Sequence, residues 1–156
     1  MAQQTMRFDI ISDTHGYLSQ ALLTELQGAD VIVHAGDICA LSDLRELQKI
    51  APVRACLGNN DLPYAYGPQV TRMERFFRAG LRWQVCHYRE RLDALTCDIA
   101  VCGHTHKPYI EDRPDGGLII NPGSPTYPRT QMGPTMARLV ARDGEVLHTE
   151  IIQLDY

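Results

Sequence analysis

The stretch Ile10-Ile11-Ser12-Asp13-Thr14-His15-Gly16 decides how the rest of the chain is read. An apolar run ends in a carboxylate and, two residues on, an imidazole, with a glycine beyond. A strand has a side-chain period of two, so Asp13 and His15 are expected to project to one side as the strand runs out. A hard oxygen donor beside a borderline nitrogen donor suits a divalent first-row metal. Working outward, the strand is expected over Arg7 to Ser12. A helix should follow over Leu18 to Leu26, with Leu22, Leu23 and Leu26 on one stripe and Ser19 near its start. Asp30 to Asp37 reads as a second strand buried on both faces, again ending in a glycine and a carboxylate. Ser42 is expected to cap a second helix carrying Leu44, Leu47 and Ile50. Pro52 to Leu57 makes a third strand that closes in Gly58-Asn59-Asn60-Asp61. The alternation β-α-β-α-β predicts a parallel sheet with right-handed crossovers, and such sheets bind ligands at the carboxyl ends of their strands.

The rest of the chain sets the frame. Its 156 residues are enough for one domain with a substantial core, and 44% hydrophobic with 22% charged residues is ordinary globular composition. A net charge of −4 gives no basic footprint for a nucleic-acid backbone. No apolar run reaches the ~18–20 residues needed to cross a bilayer. Met1 to Thr5 carries no charged-then-apolar leader pattern, so a cytoplasmic location is expected, with Met6 as serviceable a start as Met1. The five cysteines, Cys39, Cys56, Cys86, Cys97 and Cys102, include no Cys-x-x-Cys pair and read as structural thiols.

Further strands are expected over Val70 to Arg78, over Leu81 to His87, and over Asp98 to Cys102 followed by Gly103-His104-Thr105-His106, with a short helix over Arg89 to Leu95. Pro108 to Glu111, Gly117 to Ile120, Thr135 to Arg142 and Val146 to Leu154 read as short strands, the last two joined by an Asp143-Gly144 hairpin turn. A parallel first half is thus expected to give way to an antiparallel second half.

Asp13, His15, Asp37, Asn59, His87, His104 and His106 all stand where a buried run ends. Burying such groups unpaired costs several kcal/mol each, and a metal removes the difficulty. Seven ligands exceed one ordinary transition-metal site but suit two ions that share one of them. Two dications ~4 Å apart repel by roughly 17 kcal/mol at an effective dielectric of about 20. A bridging carboxylate offsets that repulsion, and Asp37, on the central strand of the first three, is the natural bridge. Two such ions, two aspartates and a hydroxide leave the pocket near +1, which attracts an anionic phosphate.

Asp-x-His, Gly-Asp, Gly-Asn-x-Asp, a strand-terminal His and Gly-His-x-His, in that order, resemble the calcineurin-like metallophosphoesterase superfamily. The Asn121-Pro122-Gly123-Ser124 segment and the short length resemble its small bacterial and archaeal phosphodiesterase branch. The resemblance covers nearly the whole chain and implies a single domain over 1–156. It implies an α/β fold of two packed mixed β-sheets flanked by helices, a four-layer αββα sandwich. It implies that one metal takes Asp13, His15, Asp37 and His106, and the other Asp37, Asn59, His87 and His104. The implied reaction is attack on phosphorus by a water shared between the ions, with manganese the expected metal and iron, nickel or zinc compatible with the same donors.

Two departures from the family pattern stand out. Where many members have histidine in the third place of Gly-Asn-x-Asp, this chain has Asn60, which can hydrogen-bond a phosphate oxygen but cannot protonate a leaving group. Phosphodiesters or activated esters are therefore the expected substrates. After His87 the family often continues Gly-His; here Tyr88-Arg89 follows, and Arg89 is a candidate for contact with the substrate phosphate. His34 reads as a hydrogen-bonded residue beneath the site and His148 as surface hairpin, and Ser124, outside any Gly-x-Ser-x-Gly elbow, does not read as a nucleophile. Two non-enzymatic functions compete with the hydrolase: a scaffold on the same fold, and a sensor that binds a small phosphate ester without turning it over. A homo-oligomer is compatible with the sequence, which sets no oligomeric state.

Overall fold

The structure is a computed structural model that describes residues 4–155, so the alternative start at Met1 lies outside the described residues. Strand β1 (Met6–Ile11) is followed by α1 (Gln20–Glu25), β2 (Val31–His34), α2 (Leu41–Gln48) and β3 (Val53–Ala55). Then come β4 (Met73–Arg78), β5 (Leu81–Cys86), β6 (Ile99–Val101), β7 (Tyr109–Asp112), β8 (Leu118–Asn121), β9 (Thr135–Arg142) and β10 (Glu145–Gln153). They form two five-stranded sheets, ordered β10-β9-β1-β2-β3 and β4-β5-β6-β8-β7. β1, β2 and β3 pair in parallel as expected, with the antiparallel β9–β10 hairpin added beside β1.

Strand alternation explains the layers. On β1, Phe8 and Ile10 face the second sheet, where Phe8 meets Trp83 with ring centroids 4.5 Å apart, in a core shared with Val31, Val33, Ile99, Val101 and Ile120. Ile11 faces the other way, into a cluster under the two helices with Leu22, Leu26, Ile32 and Leu47. The outer face of the second sheet is covered by the segment carrying two short 3-10 turns, Arg89–Arg91 and Ala94–Thr96, where a short helix was expected. Leu92 of that segment packs on Cys97, Ala100, Cys102 and Ile119. Two packed mixed sheets with helical segments outside them are the expected fold class, the fourth layer being thinner than a helical one.

Two expectations need correction. The second half is not uniformly antiparallel: β5, β6 and β8 pair in parallel, because β7 lies at the sheet edge and β8 returns between it and β6. Leu118-Ile119-Ile120 is buried throughout, the continuous apolar pattern of a parallel strand. Helix α2 starts one residue before Ser42, with Ala40 at the cap position and no side-chain cap bond. The backbone just upstream is fixed by the Cys39 amide donating to Asp61 (2.9 Å), which sets where the helix begins. Ser19, by contrast, caps α1 by accepting from the Leu22 amide. Among the described residues no helix is long and apolar enough to cross a membrane.

Candidate metal centre

The carboxyl ends of β1, β2, β3, β5 and β6 point to one edge shared by both sheets, and the loops leaving them carry the expected ligands. β1 ends at Ile11, so the pleat does not orient Asp13 and His15. Both instead adopt left-handed backbone, φ 57° and 53°, as do Asp37 (57°), His104 (71°) and His106 (61°). Such conformations cost on the order of 1–3 kcal/mol each and persist only where the surroundings enforce them. Here the first two loops are laced together, Asp13, His15 and Gly16 amides donating at 2.9 Å to the carbonyls of Gly36, Asp37 and Ile38. Gly36 and Gly58 allow the next layer to close: a Cβ at Gly58 would lie 2.2 Å from Asp37 Oδ1, and one at Gly36 2.8 Å from His87 Nδ1.

The two carboxylates are held differently. Asp13 is wholly buried, and its Oδ2 accepts from Ser12 Oγ (2.6 Å) and the His104 amide (2.9 Å). Its Oδ1 is buried with no hydrogen-bond partner. Around that oxygen stand His106 Nε2 at 3.3 Å, His87 Nε2 at 3.7 Å and His15 Nε2 at 3.8 Å. Asp37 Oδ2 lies 3.5 Å from His87 Nε2 and 3.6 Å from His15 Nε2, and the carboxylate accepts from the Asn60 amide (2.8 Å) and side chain (3.0 Å). Burial raises the pKa of both acids, but His106 and His87 at Asp13, and His87 and Asn60 at Asp37, outweigh it and leave both lowered.

The imidazoles are oriented from behind. His87 Nδ1 donates to the Ala35 carbonyl (2.7 Å) and His106 Nδ1 to that of Tyr127 (2.6 Å). A carbonyl only accepts, so in each neutral ring the lone pair is on Nε2. His87 Nε2 then faces Asn59 Oδ1 at 3.0 Å as well as both carboxylates, acceptor against acceptor. Only a cation reconciles them. A proton serves in the metal-free state: Asp13 raises the pKa of His106, and Asp37 and Asp13 raise that of His87 against the effect of its burial. The same convergence of lone pairs fits divalent metals. Asp13, His15 and His106 form one group with metal-binding spacing, and Asp13, Asp37 and His87 another.

His104 and Asn59 stand beside these groups and line a cavity of about 380 Å³ with His15, Asp37, Asn60, His106, Tyr127 and Arg129. The His104 ring packs against His87 (5.1 Å) and Tyr88 (4.8 Å). Arg89 does not line this cavity. It stacks on Tyr109 and pairs with Glu111 at 2.8 Å on the outer side of the second sheet, because an edge strand offers it a carboxylate. Ser124 Oγ donates to the Asp13 carbonyl (2.7 Å) and accepts from the Tyr127 amide, so its loop clamps the metal edge rather than attacking substrate. His34 is fully buried between Thr14 Oγ1 and the Gly36 amide, as expected, and His148 meets Glu150 on the hairpin surface.

Two contributors went unread in the sequence. Asp61 accepts from the amides of Asp37, Ile38, Cys39 and Gly58 and from Tyr66 OH, five donors that lock the β2 and β3 loops together. Its place as the last residue of Gly-Asn-x-Asp was the available signal. Arg129 reaches the cavity through the Ser124 loop, and no local pattern marks it.

Comparisons with known proteins agree with this geometry. The family model for the calcineurin-like phosphoesterase superfamily domain matches residues 6–144. A probable metallophosphoesterase of Methanothermobacter thermautotrophicus is 33% identical over 162 residues, 95% of this chain and 92% of the relative. One from Methanocaldococcus jannaschii is 34% identical over 137 residues, 80% of this chain and 71% of the relative. Among solved structures, a single mutant of Vps29 from Entamoeba histolytica superposes with a TM-score of 0.74 at 21% identity, covering 96% of this chain and 100% of that one. YfcE, a phosphoesterase from E. coli, gives 0.71 at 22% identity, covering 96% of this chain and 100% of that one. The chain belongs to the calcineurin-like phosphoesterase superfamily.

Proposed function

We propose that this protein is a two-metal hydrolase of phosphodiesters. The observation that carries the reading is the buried Asp13 Oδ1, without a partner of its own, ringed by three imidazole Nε2 atoms. Asp13, His15, Asp37 and His106 would hold one ion, and Asp37, Asn59, His87 and His104 the other, with manganese the expected metal. A bound pair of divalent ions supplies an acidified water and draws charge from the phosphoryl oxygens. The chain's own residues decide which leaving groups succeed. Asn60 commits its side chain to Asp37 at 3.0 Å and has no proton to give, so the departing oxygen must leave unassisted. General acid catalysis typically contributes 10²–10⁴-fold, and its absence confines good rates to weakly basic leaving groups.

The test compares manganese-loaded and chelated protein on bis(p-nitrophenyl) phosphate and on an alkyl phosphodiester. Metal-dependent turnover of the first, with Asn60→His raising the rate on the second tenfold or more, supports the reading. Metal uptake without turnover of either favours a scaffold or sensor instead. The scaffold has an observation in its favour, since Vps29 structures, one of them a zinc complex, share this fold.

A further inference from the structure

Arg129 adds a charge that two metals and their ligands do not call for. It lines the cavity beside His106, its amide donating to the His106 carbonyl at 3.4 Å. Arg7, Arg54, Arg82, Arg89, Arg113 and Arg138 are each paired with a carboxylate, and of the arginines left without an ion pair among the described residues Arg129 is the one that lines this cavity. The Arg129 guanidinium has no hydrogen bond or ion pair among the described residues, although it stands at the mouth of the site. The cavity is also graded in depth: Asp37 is buried at its floor, with Asp13 behind His15 and His106, whereas Tyr127 and Arg129 are exposed at its lip. A phosphoryl group attacked at the floor would therefore present its neighbouring group to Arg129.

The missing proton donor points to the same neighbour. An alkoxide is about as basic as hydroxide, whose parent water has a pKa of about 15.7, whereas a phosphate monoester loses its second proton near pKa 6. A departing phosphate needs no acid at Asn60 and carries the charge that an unpaired guanidinium binds bidentately. We infer that Arg129 anchors a second phosphate, and that the substrates are pyrophosphate-linked diesters cut between their two phosphorus atoms. In the step, a water oxygen bonds to the inner phosphorus and the bond from that phosphorus to the bridging oxygen breaks. Its electron pair leaves on the outer phosphate. Both protons of the water pass to solvent near neutral pH, and the products are two phosphate monoesters.

This inference rests on the two-metal hydrolase reading, and its test separates the two. Manganese-loaded wild type, Arg129→Ala and Arg129→Lys are compared on di(adenosine-5′) pyrophosphate and on p-nitrophenyl thymidine monophosphate, which has one phosphate. Binding of α,β-methylene adenosine diphosphate and of adenosine monophosphate is measured by calorimetry on the same proteins. The expected result is that Arg129→Ala loses about ten- to hundredfold more kcat/KM on the pyrophosphate than on the single-phosphate diester. The affinity advantage of the methylene diphosphate over the monophosphate should shrink by a similar factor, with lysine recovering part of both. Equal losses on the two substrates, or an unchanged affinity ratio, overturn the second-phosphate assignment and leave the hydrolase standing. Wild type that cleaves neither substrate in manganese removes the underlying reading itself.

Discussion

Asp9 and Asp13 lie four residues apart on and just beyond one strand, and both carboxylates are completely buried. Asp9 is closed on itself. Arg7 and Arg138 each grip it with two nitrogens, at 2.7–3.3 Å, and both guanidiniums also donate to the Glu25 carbonyl. Permanent cations neutralise it, every lone pair has work, and nothing faces a cavity. Asp13 is surrounded instead by imidazoles, which carry charge only when protonated, and one of its oxygens has no partner. The difference separates a carboxylate that ties helix α1 and its sheet together from one kept available for a cation. Burial alone does not mark a functional acid; the kind of neighbour does.

The contrast can be broken at either end. Asp9→Asn removes the charge facing two largely buried guanidiniums and should destabilise the fold by about 3–5 kcal/mol. Denaturant titration would register the loss, while activity per folded molecule stays at the wild-type level. A cost within 1 kcal/mol would show that the arginines find other partners and that the cluster is not structural. Next in size is His34, the imidazole that burial keeps neutral, its pKa pushed down to about 4. Unfolded chain protonates this ring near pH 6.5, so between 6.5 and 4 the unfolded state binds more protons. Stability therefore falls as the pH drops through that window, by on the order of 3 kcal/mol from this residue. His34→Gln should flatten the decline in urea titrations at pH 7, 5.5 and 4, and an identical slope in both proteins would contradict the assignment. The smallest effect concerns a helix end. Ala40 has the extended backbone of a cap, φ −151° and ψ 123°, but no side-chain acceptor. Ala40→Ser should add about 1 kcal/mol, read as a raised Tm.

That last site shows where the sequence could be read and where it could not. Residue spacing delivered the parallel β1-β2-β3 unit and the positions of the polar residues that gather at one edge, since buried runs ending in Gly, Asp, Asn or His leave a clear local trace. Ser42 misled because cap preference is a local rule, whereas the start of α2 is fixed by Asp61 across the loop. Asp61 itself was overlooked for the same reason: its five bonds span two loops and leave no periodic signature. The left-handed backbone at Asp13, His15 and Asp37 was equally hidden, being imposed by amides paired between loops rather than by the residues themselves. Arg89 and Arg129 are chemically alike in sequence, and only the fold tells that the first meets Glu111 and the second the cavity.

The central claim is that Asp13 is buried in order to meet a cation. Metal content per chain, measured by elemental analysis after loading with excess manganese and desalting, tests it most directly. The account predicts two ions in the wild type and a clear loss in Asp13→Asn, with Asp9→Asn unchanged in its folded fraction. Equal metal content in wild type and Asp13→Asn, or none in either, would contradict it.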